Sequence, residues 1–349
     1  MPKVLALVLL LALALRGETT ADPFAFFRPS VVVSPDDRRQ LDRGEPIARV
    51  LPGKDRQIAV FAAIPVKIDG DRLMAWMRQI AQFKKSPYVQ AIGRFSDPPV
   101  INDLAALSLD DKDLAQIRQC RPADCALKLT GTEMRDLRHV ADEAGTAWKP
   151  ALQDAFRRVI LHRVEAYRQG GHAALGPYED HEDRVGLEAQ FSQLIQQSEF
   201  LTRGMPQFAE YLKRYPQAAM PRVESFVYWS KESVSGKPIV SATHVSMVRR
   251  DDGTLPEVIV AGKGIFATHY LNASLGLTAI LRGSDGRNYL VYLNRSEVDM
   301  LGGFFGGLVR IAMGRRLKAE ASGILRGLRD RLESGEPGLP VPKPRGSTP

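Results

Sequence analysis

The residues best suited to chemistry are two histidines in matched settings, Thr243-His244-Val245 and Thr268-His269-Tyr270, one in each of two successive β-capable runs. If those runs pair through Asp251-Asp-Gly253, both imidazoles could share one face, and a slip of one residue would part them. With Glu224, Tyr228 or Asp299 beside them they could bind the polar head of a ligand, hold a metal, or act as acid and base. Two histidines without a placed third ligand do not define a zinc site, so no metal and no cofactor is assigned. The other outcome is a pair of hydrogen-bonded or solvent-facing side chains.

The remaining ionisable clusters carry less. Tyr178-Glu-Asp-His-Glu-Asp183 gathers carboxylates and an imidazole, but consecutive residues cannot all converge on one ion, and the segment is expected to open a helix in solvent. No Gly-x-Ser-x-Gly elbow and no phosphate loop occurs. Cys120 and Cys125 are the only cysteines, five positions apart across a Pro122 and Asp124 turn, which favours a local disulfide.

The elements that must position these groups follow from 349 residues, 44% apolar and 25% charged, an ordinary globular balance with material for one large or two modest domains. A net charge of +8 over this length is too dilute to imply nucleic acid, and no nucleic-acid partner is expected. Lys3 precedes an apolar run from Val4 to Leu15, too short to span a bilayer comfortably. Residues 1–21 therefore read as a signal peptide, with a periplasmic or extracellular product.

Residues 22–56 are rich in Pro, Arg and Asp and are expected to form an irregular lead-in. A strand follows from Gln57 to Ile68, then an Asp69-capped helix whose Leu73, Trp76, Met77, Ile80 and Phe83 form one buried stripe. From about 109 to 216 the periodicity is helical, with a capping box at Thr130 and Glu133. Beyond Pro221 the pattern alternates, broken by Ser235-Gly236, Asp251-Asp-Gly253 and Ser284-Asp-Gly286, which predicts an antiparallel meander of four to six strands. A long helix over about 298–332 closes the domain, and 334–349 reads as a disordered tail.

The run Tyr289 to Asn294, then Gly302-Gly-Phe-Phe-Gly-Gly-Leu-Val-Arg310 and a basic amphipathic helix, resembles the end of START-related helix-grip lipid-binding domains over about the last 125 residues. The resemblance implies a curved antiparallel sheet gripping a long C-terminal helix; joined to the elements above it gives an α+β domain over 57–333, in which the helical block of about 109–216, longer than that family carries, is an insertion after the first strand. A sheet curled about one helix encloses volume unless large side chains fill it, and the strands supply small residues such as Ser241, Ala242, Ala261, Ser274 and Ala279. Tyr228, His244, Phe266, His269, Tyr270, Tyr292, Phe304 and Phe305 are the candidate lining.

The expected activity is non-catalytic binding of a lipid or other hydrophobic small molecule in a cavity between the sheet and the C-terminal helix. A hydrolase or cyclase-like envelope enzyme using His244 and His269, and an envelope adaptor acting through the helical block, are the alternatives. The last helix carries Arg310, Arg315, Arg316, Lys318, Arg326, Arg329 and Arg331, a stripe that could meet an anionic membrane surface.

Overall fold

The computed structural model describes residues 22–335, without 54–55, 235, 251–252, 255, 284 and 302–305, and without the side chains of 306–310, 312–313 and 317–318 in the last helix. The signal-peptide reading of 1–21, nearly all of the tail, and Phe304 and Phe305 lie outside the described residues.

The fold is α+β, built on one curved, wholly antiparallel sheet of eight strands. In chain order they are β1 (Ile47–Leu51), β2 (Gln57–Val66), β3 (Val89–Arg94), β4 (Glu224–Val234), β5 (Lys237–Arg249), β6 (Val258–Ala267), β7 (Leu271–Arg282) and β8 (Asn288–Val298). They lie in the order β1-β2-β8-β7-β6-β5-β4-β3, so β8 returns to pair with β2. The meander β4–β8 turns where Gly and Asp-Gly mark it: Gly236 and Gly286 both adopt positive φ, which a side chain would oppose.

Two expectations are corrected. The lead-in is not irregular: it forms helix α1 (Pro35–Asp42) behind a Ser34 and Asp37 capping box, then β1 on the edge of the sheet. Three strands, not one, precede the helical block, because the short β3 is held from outside its own sequence by pairing with β4. Gly93 of β3 sits under the indole of Trp229, where an added Cβ would lie 2.6 Å from Nε1. That indole is fixed by donating to the Asp103 carbonyl at 2.8 Å. Gly93→Ala is therefore expected to cost about 1–3 kcal/mol by overpacking, read as a lowered denaturation midpoint.

Strand alternation gives the sheet two working faces. One carries Phe61, Ala63, Leu277, Leu293, Val227, Trp229 and Ala242 beneath the helices of residues 109–216. These are α4 (Asp111–Ile117), α5 (Gly131–Glu143), α6 (Trp148–Gly170), α7 (Leu187–Gln196), α8 (Glu199–Gly204) and α9 (Pro206–Arg214), the Thr130 and Glu133 capping box being present. The Cys120–Cys125 disulfide lies between α4 and α5.

The other face meets α2 (Gly70–Arg78), capped by Asp69, and α3 (Ile80–Phe83). The expected single stripe breaks at Gln79, so these two short helices replace one long one. The last helix, α10 (Gly306–Ser334), packs against β1, β2 and α2, with Leu325 and Leu332 buried beside Ile64, Leu73 and Trp76.

Candidate functional site

A cavity of about 510 Å³ separates the sheet from α2 and α3; among the described residues α10 contributes nothing to its lining, whereas the sequence places the cavity against that helix. Met77, Ile80 and Phe83 form its helical wall, and Ile58, Val60, Val245 and Val260 part of its floor. It stays open because the centre of that floor is built from Gly262, Gly276, Ser274, Thr243 and Thr278. A Cβ on Gly276 would find the Tyr292 hydroxyl only at 3.8 Å. Tyr292 stands in a central strand yet keeps 40% of its surface accessible, because its ring looks into this hollow. Val234 and Met300, each 44% exposed, also line it.

One wall is polar. Strand alternation sets Tyr228, Ser230 and Glu232 on the cavity side of β4. The Lys84 ammonium, just beyond α3, reaches Glu232 Oε1 at 2.5 Å and donates to the Tyr228 hydroxyl at 3.2 Å. Ser230 donates to the same Glu232 oxygen at 2.5 Å. Burial opposes the charge on Lys84, but Tyr228 and Glu232 outweigh it and raise its pKa above the ordinary range. Burial likewise opposes the charge on Glu232, and Lys84 reverses this and lowers its pKa. Burial pushes the Tyr292 hydroxyl upward. Across the floor, Ser296 donates to Asn294 Oδ1 at 2.8 Å, and the Asn294 amide, next to Gly276, donates to the Tyr292 hydroxyl.

Of the residues singled out in the sequence, the structure brings Tyr228, Tyr270 and Tyr292 to the cavity. His244 is not there: Thr243 and Val245 face the cavity, so alternation turns His244 to the opposite face. It is buried beneath the helical block, its Nδ1 2.9 Å from the Tyr167 hydroxyl and its ring 4.3 Å from that of Tyr215. Phe266, opposite Ala242, packs on Phe156 of α6. His269 lies past the end of β6, with Nδ1 2.8 Å from the Ala126 carbonyl and Nε2 3.2 Å from Asp113 of α4. The two imidazoles thus have separate partners, His244 with Tyr167 and Tyr215, His269 with Ala126 and Asp113.

Lys84, Glu232, Asn294 and Ser296 escaped the sequence reading. The signal for Glu232 was present, since Tyr228, Ser230, Glu232 and Val234 occupy alternate positions of one strand. Lys84 had none, its partner lying 148 residues away.

The Tyr178 to Asp183 segment is not a helix start. Tyr178 pairs with Val185 as an isolated bridge, and Asp180 is buried. Asp180, His181 and Asp299 offer ligand atoms within 4.8 Å of one another. The Lys128 ammonium already sits on both carboxylates, 2.5 Å from Asp299 and 3.3 Å from Asp180, and supplies the positive charge a cation would bring.

On α10, Arg326 pairs with Glu45, Arg329 donates to the Gly44 carbonyl at 2.9 Å, and Arg331 donates to the carbonyls of Gln82, Phe83 and Lys85. These three cations fasten the helix to the body of the protein. Arg315 and Arg316 face solvent, the latter bonded to Glu320 at 2.9 Å. No helix among the described residues is long and apolar enough to cross a membrane.

No protein-family model matches the chain, and no curated protein matches its sequence.

Proposed function

We propose that the protein binds a lipid or other hydrophobic small molecule in the cavity between its sheet and the helices α2 and α3. The observation that carries this reading is the cavity itself: about 510 Å³, apolar over most of its wall, with a few convergent polar groups, the usual make-up of a small-molecule site. At about 30 Å³ for a water-sized group, it accommodates roughly 15 to 20 non-hydrogen atoms, one chain or a compact ring system but not a two-chain phospholipid. Burying a chain of that size at about 0.8 kcal/mol per CH₂ contributes on the order of 10 kcal/mol before ordering costs.

The helix-grip reading, with its likeness to START-related domains, is proposed on the same ground. Its support is the path of the chain: strand, two short helices, strands that close back upon β2, and a last helix laid against β1, β2 and α2. The helices of 109–216 are then an addition on the far face. Export is proposed from the N-terminal pattern, with the Cys120–Cys125 bond in keeping with it. Contact of the last helix with an anionic membrane is proposed on Arg315 and Arg316, which face solvent.

Gly276→Leu fills the floor without a backbone clash, the nearest atoms to a Cβ lying 3.7 Å away or more. Binding of a fluorescent fatty alcohol is expected to fall by about tenfold or more while the melting temperature holds or rises. Undiminished binding would place the ligand elsewhere.

A further inference from the structure

We infer that the cavity selects ligands with an uncharged hydrogen-bonding group, an alcohol, ketone or amide, held at Lys84, Tyr228 and Glu232, and that it refuses free carboxylates and phosphates. This rests on the cavity reading above and adds the chemistry of the ligand's polar end.

Lys84 and Glu232 are the only charged side chains lining the cavity among the described residues. At 2.5 Å they neutralise each other, so the polar wall presents dipoles and not a net charge. The ammonium is further committed to the Tyr228 oxygen at 3.2 Å, and Glu232 to the Ser230 hydroxyl at 2.5 Å. Because the Tyr228 oxygen accepts from Lys84, its own O–H remains to donate to an incoming oxygen.

A carboxylate entering here sets two anions against one ammonium in a poorly solvated space. Capturing Lys84 would leave the half-buried Glu232 without its cation, which opposes the exchange. A hydroxyl or carbonyl takes the Tyr228 proton and leaves the pair intact. Both members hold their charges near neutral pH: contact with Tyr228 and Glu232 raises Lys84, and contact with Lys84 lowers Glu232, each against the effect of burial.

The test is displacement of a fluorescent probe from the full chain at pH 7 by tetradecanol, myristamide, myristate, tetradecyl phosphate and tetradecylamine. The wild type is expected to bind the alcohol and the amide about tenfold tighter than either anion. Glu232→Gln frees the ammonium and should invert that order in favour of myristate. Lys84→Met frees the carboxylate and should favour the amine, so a folding defect in one variant leaves the other to decide. A wild type that takes myristate as tightly as the alcohol overturns the inference, as does an order unchanged in both variants. If no member of the series binds the wild type, the cavity reading itself falls and this inference with it.

Discussion

Lys263→Met is expected to stabilise the protein by about 2–3 kcal/mol at pH 7, a large gain for a single substitution. Lys263 stands on β6 beneath the helical block and is wholly inaccessible to solvent. Its ammonium donates to the Leu212 carbonyl at 2.8 Å and lies 4.5 Å from the centre of the Phe191 ring and 5.1 Å from that of Tyr167. Among the described residues no carboxylate pairs with it. Burial brings its pKa down to about 7, with Glu188 pulling weakly the other way. The unfolded chain binds that proton up to about pH 10.4. Between pH 7 and 10.4 the unfolded state therefore holds more protons, stability rises with pH, and below about 7 the penalty is constant. Its full size is on the order of 4 kcal/mol, and Met, which matches the length and packs in apolar surroundings, removes it. Loss of the bond to Leu212 returns about 1 kcal/mol of that gain.

The same cluster shapes the acid limb. His244 is pushed down to about 3 by burial, then by Lys263 and Arg168, and His172 is lowered by burial and by Lys263. Each is neutral in the fold and takes a proton more readily when unfolded, so stability falls as pH drops from about 6.5 towards 3. His172 Nε2 meets the Gly264 carbonyl at 2.9 Å, so it carries the proton, and its buried Nδ1 has no acceptor to meet a second one. Lys263→Met removes a positive neighbour from both imidazoles and should ease the acid loss while flattening the slope between pH 7 and 10. Urea titrations across pH 4–10 read both limbs. A variant no more stable than wild type at pH 7, with the alkaline slope intact, would show that the amine is not the strained group.

How much of this was legible in the sequence depends on the range of each interaction. The meander could be read because Gly236, Gly253 and Gly286 mark its turns locally, and β7 alternates cleanly through Ser274, Leu275, Gly276, Leu277 and Thr278. The strands β1 and β3 could not, since their order comes from pairing with β2 and β4 and not from their own short sequences. Small residues line the cavity only where they share the phase of Thr243, Ser274 and Tyr292; Ala242, Ala261 and Ala279 face the helical block. His244 fails as a cavity residue for the same reason of phase. The polar wall joins Lys84 to a strand 148 residues later, and no window of sequence contains both.

The largest loss is expected from Lys128→Met, about 3–5 kcal/mol. Lys128 follows the disulfide turn, donates its backbone N–H to the Thr268 carbonyl at 2.9 Å, and is 1% exposed. Its ammonium contacts Asp180 from the helical block, Asn272 at the start of β7 (2.6 Å) and Asp299 just after β8. Asn272 in turn donates to the other Asp299 oxygen at 2.7 Å. One side chain thus joins the block, the sheet and the turn that leads to α10. Methionine would pack in the space but leave two carboxylates, Asp180 fully buried, without their cation, and it is this uncompensated charge that destabilises. The triple variant Lys128→Met, Asp180→Asn, Asp299→Asn should therefore recover more than half of the loss, and amides of residues 178–181 and 299–301 should be the first to exchange in the single variant. A loss under about 1 kcal/mol, or a triple variant no better than the single, would mean that Lys128 serves by its volume alone. The buried position of both Asp180 and the ammonium argues against that outcome, because a methylene chain of the same volume would have held the contact without requiring three polar partners around its end.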